Sequence, residues 1–107
     1  MACEFLIKKG FTILETNWQH RHLELDIVAK KDNLLVIIEV KTGRNTDFGE
    51  PQEWVNRKKQ MHIIRAANAY ITEHNIRTET RFDIIAIVLN NGNTQITHME
   101  DAFTAVG

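Results

Sequence analysis

LELDIVAKKDNLLVIIEVK, residues 23–41, places two apolar runs on either side of the polar turn Lys31-Asp32-Asn33. In the first run Leu23, Leu25, Ile27 and Ala29 alternate with Glu24, Asp26 and Val28, the period of a strand with two unlike faces. The second run, Leu34 to Lys41, opens with the unbroken apolar series Leu34-Leu35-Val36-Ile37-Ile38, as expected of a central strand covered on both sides. Together they predict a hairpin. Side chains two residues apart on a strand share a face, so Glu24 and Asp26 are expected to point one way, as are Glu39 and Lys41. Pairing of the strands then brings three carboxylates and one ammonium onto one patch of sheet.

Such a density of charge between two adhesive strands calls for a chemical reason. Asp26 and Glu39 offer hard oxygen donors of the kind Mg²⁺ or Mn²⁺ prefers, and magnesium needs only one or two protein carboxylates. A metal beside a phosphate polarises the phosphoryl oxygen and lowers the pKa of bound water. Lys41, on the same face as Glu39, is placed to orient the attacking water or to neutralise charge that builds in the transition state. Asp26, Glu39 and Lys41 are therefore the candidate catalytic residues. Glu24 is either a third ligand or a partner for Arg21 or Lys41.

Ahead of the hairpin, Ala2, Phe5 and Leu6 space as one helix face, and Lys8-Lys9-Gly10 supplies a cationic last turn and a terminating glycine. Residues 1–9 read as the end of an amphipathic helix whose beginning is missing. Thr12 to Trp18 predicts a first strand, and the second is expected from Arg21 to Lys30. Thr42 to Gly49 reads as a polar loop that offers Arg44 for binding. A principal helix follows, with Pro51 and Asn56 as alternative starts, a break near Asn56 and an end at about Glu73. Met61, Ile64, Ala67 and Ile71 form its apolar stripe. Arg81 to Leu89 predicts a fourth strand, Asn90 to Asn93 a hairpin turn, Thr94 to His98 a fifth strand, and Met99 to Gly107 a weakly specified tail. The order α-β-β-β-α-β-β implies an α/β domain over residues 1–107, with a mixed five-stranded sheet flanked by helices.

The basic cluster Arg57-Lys58-Lys59, with Arg65 two turns on, suits phosphate contacts along a groove; a solubilising helix face explains it equally well. Asp83 beside Arg81 reads as a buried ion-pair partner. The net charge is −1, so any nucleic-acid contact must rely on a local basic patch or on metal ions that cancel the carboxylates. A single cysteine, Cys3, excludes an internal disulfide and a multi-cysteine zinc site, and fits a reducing cytoplasm. No stretch approaches a membrane span, and a cytoplasmic location is expected.

Asp26 with Glu39-Val40-Lys41 resembles the D…ExK signature of the restriction-endonuclease-like, or PD-(D/E)XK, nuclease superfamily. The segments Phe5 to Trp18, Glu24 to Ala29, Glu39 to Arg44, Phe48 to Pro51 and Arg81 to Ala86 look like those of the YraN family, which is assigned to that fold near the Holliday-junction resolvases. The resemblance implies a restriction-endonuclease-like fold and an Mg²⁺- or Mn²⁺-dependent endonuclease that hydrolyses phosphodiesters in nucleic acid, DNA rather than RNA, with branched or damaged DNA as the candidate substrates. Asp26, Glu39 and the Val40 backbone carbonyl would be metal ligands, with Arg44, Arg57, Lys58 and Lys59 on the nucleic acid. It also admits a homodimer, since such enzymes often pair to cut two strands. Family members usually carry a Gly-Glu pair just before the position of Met1; either the sequence starts downstream of that pair or this version lacks one acidic ligand, and the second case motivates the alternative of a non-catalytic nucleic-acid-binding module on the same fold.

Overall fold

The structure is a computed structural model in which residues 1–105 are described; Val106 and Gly107, the end of the expected tail, lie outside the described residues. Its elements are α1 (Ala2–Lys8), β1 (Thr12–His20), β2 (Leu23–Lys31), β3 (Leu34–Arg44), 3₁₀ turns at Asn45–Asp47 and Pro51–Glu53, α2 (Arg57–His74), β4 (Glu79–Asn90) and β5 (Asn93–Phe103). They form a mixed five-stranded sheet in the order β1-β2-β3-β4-β5. Neighbours are antiparallel except β3 and β4, which run parallel and are joined across α2.

Each boundary has a local cause. Asp32 takes a left-handed conformation, φ 54°, in the β2–β3 turn, and Asn91 and Gly92, φ 40° and 83°, make the tight β4–β5 turn. Asn56 caps α2 by accepting a hydrogen bond from the Lys59 backbone N–H at 2.8 Å, whereas Pro51 opens a 3₁₀ turn and not the helix. Asn75, φ 53°, ends α2 in the left-handed region. Arg21, φ 58°, is part of the β1–β2 connection, so β2 begins at Leu23, later than the sequence pattern suggested.

β3 is covered on both faces, as its apolar run implied. Leu35 and Ile37 join Ile63, Ala66, Ala67 and Tyr70 of α2, while Val36 and Ile38 join Ala2 and Leu6 of α1. The two helices therefore pack on opposite faces. Burial of each large apolar side chain at these positions contributes roughly 1.5–3 kcal/mol.

Three expectations need correction. β3 continues through Arg44, so the loop predicted from Thr42 starts only at Asn45; the added residues keep pairing with β4 as far as Arg44 opposite Leu89. β5 extends to Phe103 and takes up much of the expected tail, because Phe103 stacks on Phe82 with ring centroids 5.1 Å apart. The third concerns the faces of β2. Leu25 packs with Val28 in the α2 cluster, while Ile27 and Ala29 pack in the α1 cluster, so the predicted alternation breaks between Leu25 and Ile27. The neighbouring strand is irregular at the same level. Asn17, φ 51°, is left-handed in mid-strand, and the β1–β2 ladder passes from Thr16–Ile27 to Trp18–Leu25 without an Asn17–Asp26 pair.

Left-handed backbone costs a non-glycine residue roughly 1–2 kcal/mol, with Asn and Gly the tolerant types. Asn17→Val is therefore expected to lower the unfolding free energy by about 1–2 kcal/mol and Asn17→Gly to leave it within about 0.5 kcal/mol, read from urea midpoints. Equal losses in both variants would show that the bend is not the constraint.

Candidate functional site

The bend in β1 and the break in β2 place Asp26 where β2 and β3 part. Their ladder ends at Ile27 opposite Ile38, so Asp26 and Glu39 would be the next pair in that register. Instead of a strand carbonyl, the Asp26 carboxylate takes the bond there: Oδ2 accepts from the Val40 N–H at 2.8 Å. The Val40 side chain packs against the α1-side cluster. Glu39 leaves the opposite face, lies within electrostatic reach of the Asp26 carboxylate, and has a side chain only 15% exposed. Burial first, and the Asp26 charge second, push the Glu39 carboxyl up to about 7, opposed by the Lys59 ammonium.

Two lysines complete the group. Lys59, in the first turn of α2, brings Nζ to 3.7 Å from Glu39 Oε2. Lys41 donates to the backbone carbonyl of Trp54 at 2.7 Å and has Nζ 5.9 Å from the centre of the Phe48 ring. The loop that supplies these contacts is tied to itself: Trp54 Nε1 donates to the Gly49 carbonyl at 3.1 Å, and the Phe48 and Trp54 rings meet edge to face. Gly43 permits the close return of this loop, since a Cβ there would lie 2.9 Å from Asp47 Oδ2 and 3.3 Å from the Phe48 ring.

Asp26, Glu39 and Lys59 are thus brought together, while Lys41, two positions along β3 from Glu39, is held by the Trp54 carbonyl. Glu24 is on its margin: it is exposed, accepts a long hydrogen bond from Gln19 at 3.4 Å, and adds the last of the influences that raise Glu39. Lys58 stands one position from the site in a groove of about 320 Å³ that it lines with Asn56, Lys59, His62 and Arg65. Arg57 points elsewhere, donating to Gln60 Oε1 and to the Thr104 carbonyl, both at 3.0 Å. Arg44 ends β3, where it lines a cavity of about 650 Å³ beside the Asn90–Thr94 hairpin.

The Trp54 carbonyl and the ion-pair role of Lys59 were not readable from spacing, because both depend on how the loop after β3 folds back. A second polar cluster lies on the α1 side. Asp83 is fully buried, as its neighbour Arg81 suggested: it accepts two bonds from Arg81 at 2.9 Å, one from the Asp101 N–H at 2.9 Å, and approaches His98 Nε2 at 2.8 Å. Burial alone would raise the Asp83 carboxyl, but these donors outweigh it and hold it below the usual range. Asp83, His98 and Glu100 are close enough together to ligate an ion, yet the Arg81 guanidinium already fills the cationic position between Asp83 and Glu100.

A model of the uncharacterised protein family UPF0102 matches residues 1–87, and the chain belongs to that family. A UPF0102 protein of Flavobacterium psychrophilum is 47% identical over 103 residues, covering 96% of this chain and 87% of the relative. Similar relatives occur in Bacteroides thetaiotaomicron, 46% identical over 95% of this chain and 84% of the relative, and in Caldicellulosiruptor bescii, 43% identical over 96% and 90%. No helix among the described residues is long and apolar enough to cross a membrane.

The raised Glu39 carboxyl carries a pH signature. Between the ordinary value of 4.5 and about 7, the folded chain holds a proton that the unfolded chain has released, so stability falls as pH rises through that window. Glu39→Gln is expected to match the parent at about pH 4 and to exceed it by roughly 1–3 kcal/mol at about pH 8, measured by urea unfolding. A gap that is the same at both pH values would refute the assignment.

Proposed function

We propose that this protein is a metal-dependent nuclease with a restriction-endonuclease-like fold, hydrolysing phosphodiester bonds of nucleic acid, DNA in preference to RNA. The observation that carries the reading is the Asp26–Glu39 carboxylate pair at the parting of β2 and β3, with Lys59 at 3.7 Å from Glu39 and Lys41 two positions further along β3. The donors fit a small hard cation. Two neighbouring carboxylates repel when both are ionised, and a divalent ion would relieve that repulsion. Asp26 and Glu39 would hold Mg²⁺ or Mn²⁺, with the Val40 carbonyl as a further ligand; the ion would supply Lewis-acid activation of the phosphate and of a bound water.

The chain's own groups do the rest. An ammonium has three donors, and Lys41 spends one on the Trp54 carbonyl, which fixes its direction and leaves two for a water or a phosphate oxygen. Lys59 offsets charge at Glu39 and stands at the mouth of the basic groove. Lys58, His62 and Arg65 extend that groove along α2, and positive groups so arranged attract a phosphate backbone without reading its sequence.

A second reading, a nucleic-acid-binding module without catalysis, is favoured by the internal pairing of both lysines, Lys41 with Trp54 and Lys59 with Glu39. Cleavage assays on branched and single-stranded DNA with Mg²⁺ or Mn²⁺ separate the two. The nuclease reading expects calorimetric metal binding that is lost in Asp26→Ala, and a fall in cleavage of about 100-fold or more in Asp26→Ala and Lys41→Ala. Salt-dependent DNA binding without cleavage, unchanged in Glu39→Gln, selects the binding module. Absence of metal binding in the parent, with cleavage unaffected by Asp26→Ala, rules the nuclease out.

A further inference from the structure

The polar cluster under α1 contains a chain of groups that the proposed phosphodiester chemistry leaves unused. Lys9, which follows the last turn of α1, brings Nζ to 2.7 Å from His98 Nδ1, and His98 Nε2 lies 2.8 Å from Asp83 Oδ2. A carboxylate can only accept, so Nε2 carries the hydrogen and Nδ1 presents its lone pair to the lysine. The His98 side chain is 2% exposed, with its ring set between those of Phe5 and Phe11 at centroid distances of 6.1 and 5.7 Å. Lys9 itself is exposed. An accessible amine thus rests on a buried imidazole that rests on a buried carboxylate.

We propose that Lys9 is an acylation site at which His98 and Asp83 activate the amine toward acyl phosphates. Nucleophiles gain their reactivity when an adjacent base takes the proton and a third group orients the base. Here His98 Nδ1 takes one proton from the Lys9 ammonium, and the imidazolium that forms lies against Asp83. The freed Nζ lone pair attacks the acyl carbon, an N–C bond forms, and the C–O bond to phosphate breaks with its electron pair leaving on the phosphate. The remaining surplus amine proton passes to the departing phosphate, and His98 returns its own proton to water. The products are an amide at Lys9, hydrogen phosphate and one proton.

The surrounding charges fit this assignment. Arg81 holds Asp83 by both oxygens and is itself paired with Glu100 at 3.2 Å, which fixes the carboxylate toward His98. From β2, Lys31 faces the Phe11 ring at 4.9 Å, and Lys9 lies 5.3 Å from the centre of the Phe5 ring. Asp101 meets Asp83 through its backbone N–H.

The test uses acetyl phosphate as the probe on the full chain, with site occupancy followed by mass spectrometry. Lys8 is the internal control: it is exposed, adjacent in sequence, and has no hydrogen bond to an imidazole among the described residues. Lys9 is expected to be acetylated about tenfold faster than Lys8 in the native chain, and at the same rate as Lys8 in urea. His98→Gln, whose amide can keep the bond to Asp83 but offers no base, is expected to reduce Lys9 to the Lys8 rate. Equal native rates overturn the proposal, as does an advantage that survives in folded His98→Gln. If that variant fails to fold, the native-against-urea comparison decides, and an advantage retained in urea overturns the proposal.

Discussion

The hydrogen bond from the Val40 N–H to Asp26 replaces a rung of the β2–β3 ladder with a side chain, and the candidate site depends on that replacement. A strand carbonyl in the same place would have continued the ladder past Ile27 and Ile38. With the carboxylate there, the Val40 N–H keeps a partner although the ladder has ended. Asn17, left-handed on the far side of β2, lies level with Asp26, and Lys59 reaches Glu39 from the start of α2. Fold and site are consequences of one local decision about which oxygen accepts one hydrogen.

The same device occurs a second time. Asp101, φ 52°, is left-handed in β5, the β4–β5 register shifts between Phe82 and Ile84, and the aspartate in the gap, Asp83, accepts the Asp101 N–H. Both aspartates interrupt a ladder at a bend in the neighbouring strand or at a splayed partner. Their surroundings then separate them. Asp83 is fully buried and saturated with donors, which favours its charged form, whereas Asp26 sits beside a second carboxylate with one backbone donor. A buried carboxylate with a full set of partners rigidifies; one left facing another carboxylate has capacity for a further cation.

Sequence pattern alone was enough for the parts whose physics is local. The β2–β3 hairpin, the order of elements, the two-sided burial of β3 and the cap at Asn56 follow from periodicity and turn chemistry acting over a few residues. The residues Asp26, Glu39 and Lys41 could be singled out because charge is conspicuous in apolar strands. What escaped was set by contacts distant in sequence. Alternation could not show that Leu25 and Ile27 go to different clusters, because which helix covers each depends on how the sheet packs as a whole. The length of β5 depends on Phe103 finding Phe82, and the pairing of His98 with Asp83 and Lys9 joins three elements that no window contains.

β1 and β5 are the two outer strands of the sheet, and each carries a left-handed residue, Asn17 near the middle of one and Asp101 close to the end of the other. An outer strand offers unpaired backbone groups to any other chain, and a long flat one is a template for aggregation. The bends shorten the straight, register-matched length that either margin can present, and they do so with polar residues that also occupy the approach. The irregularities that shape the interior around Asp26 and Asp83 therefore also guard the perimeter, and straightening either one would be expected to cost colloidal solubility as well as geometry.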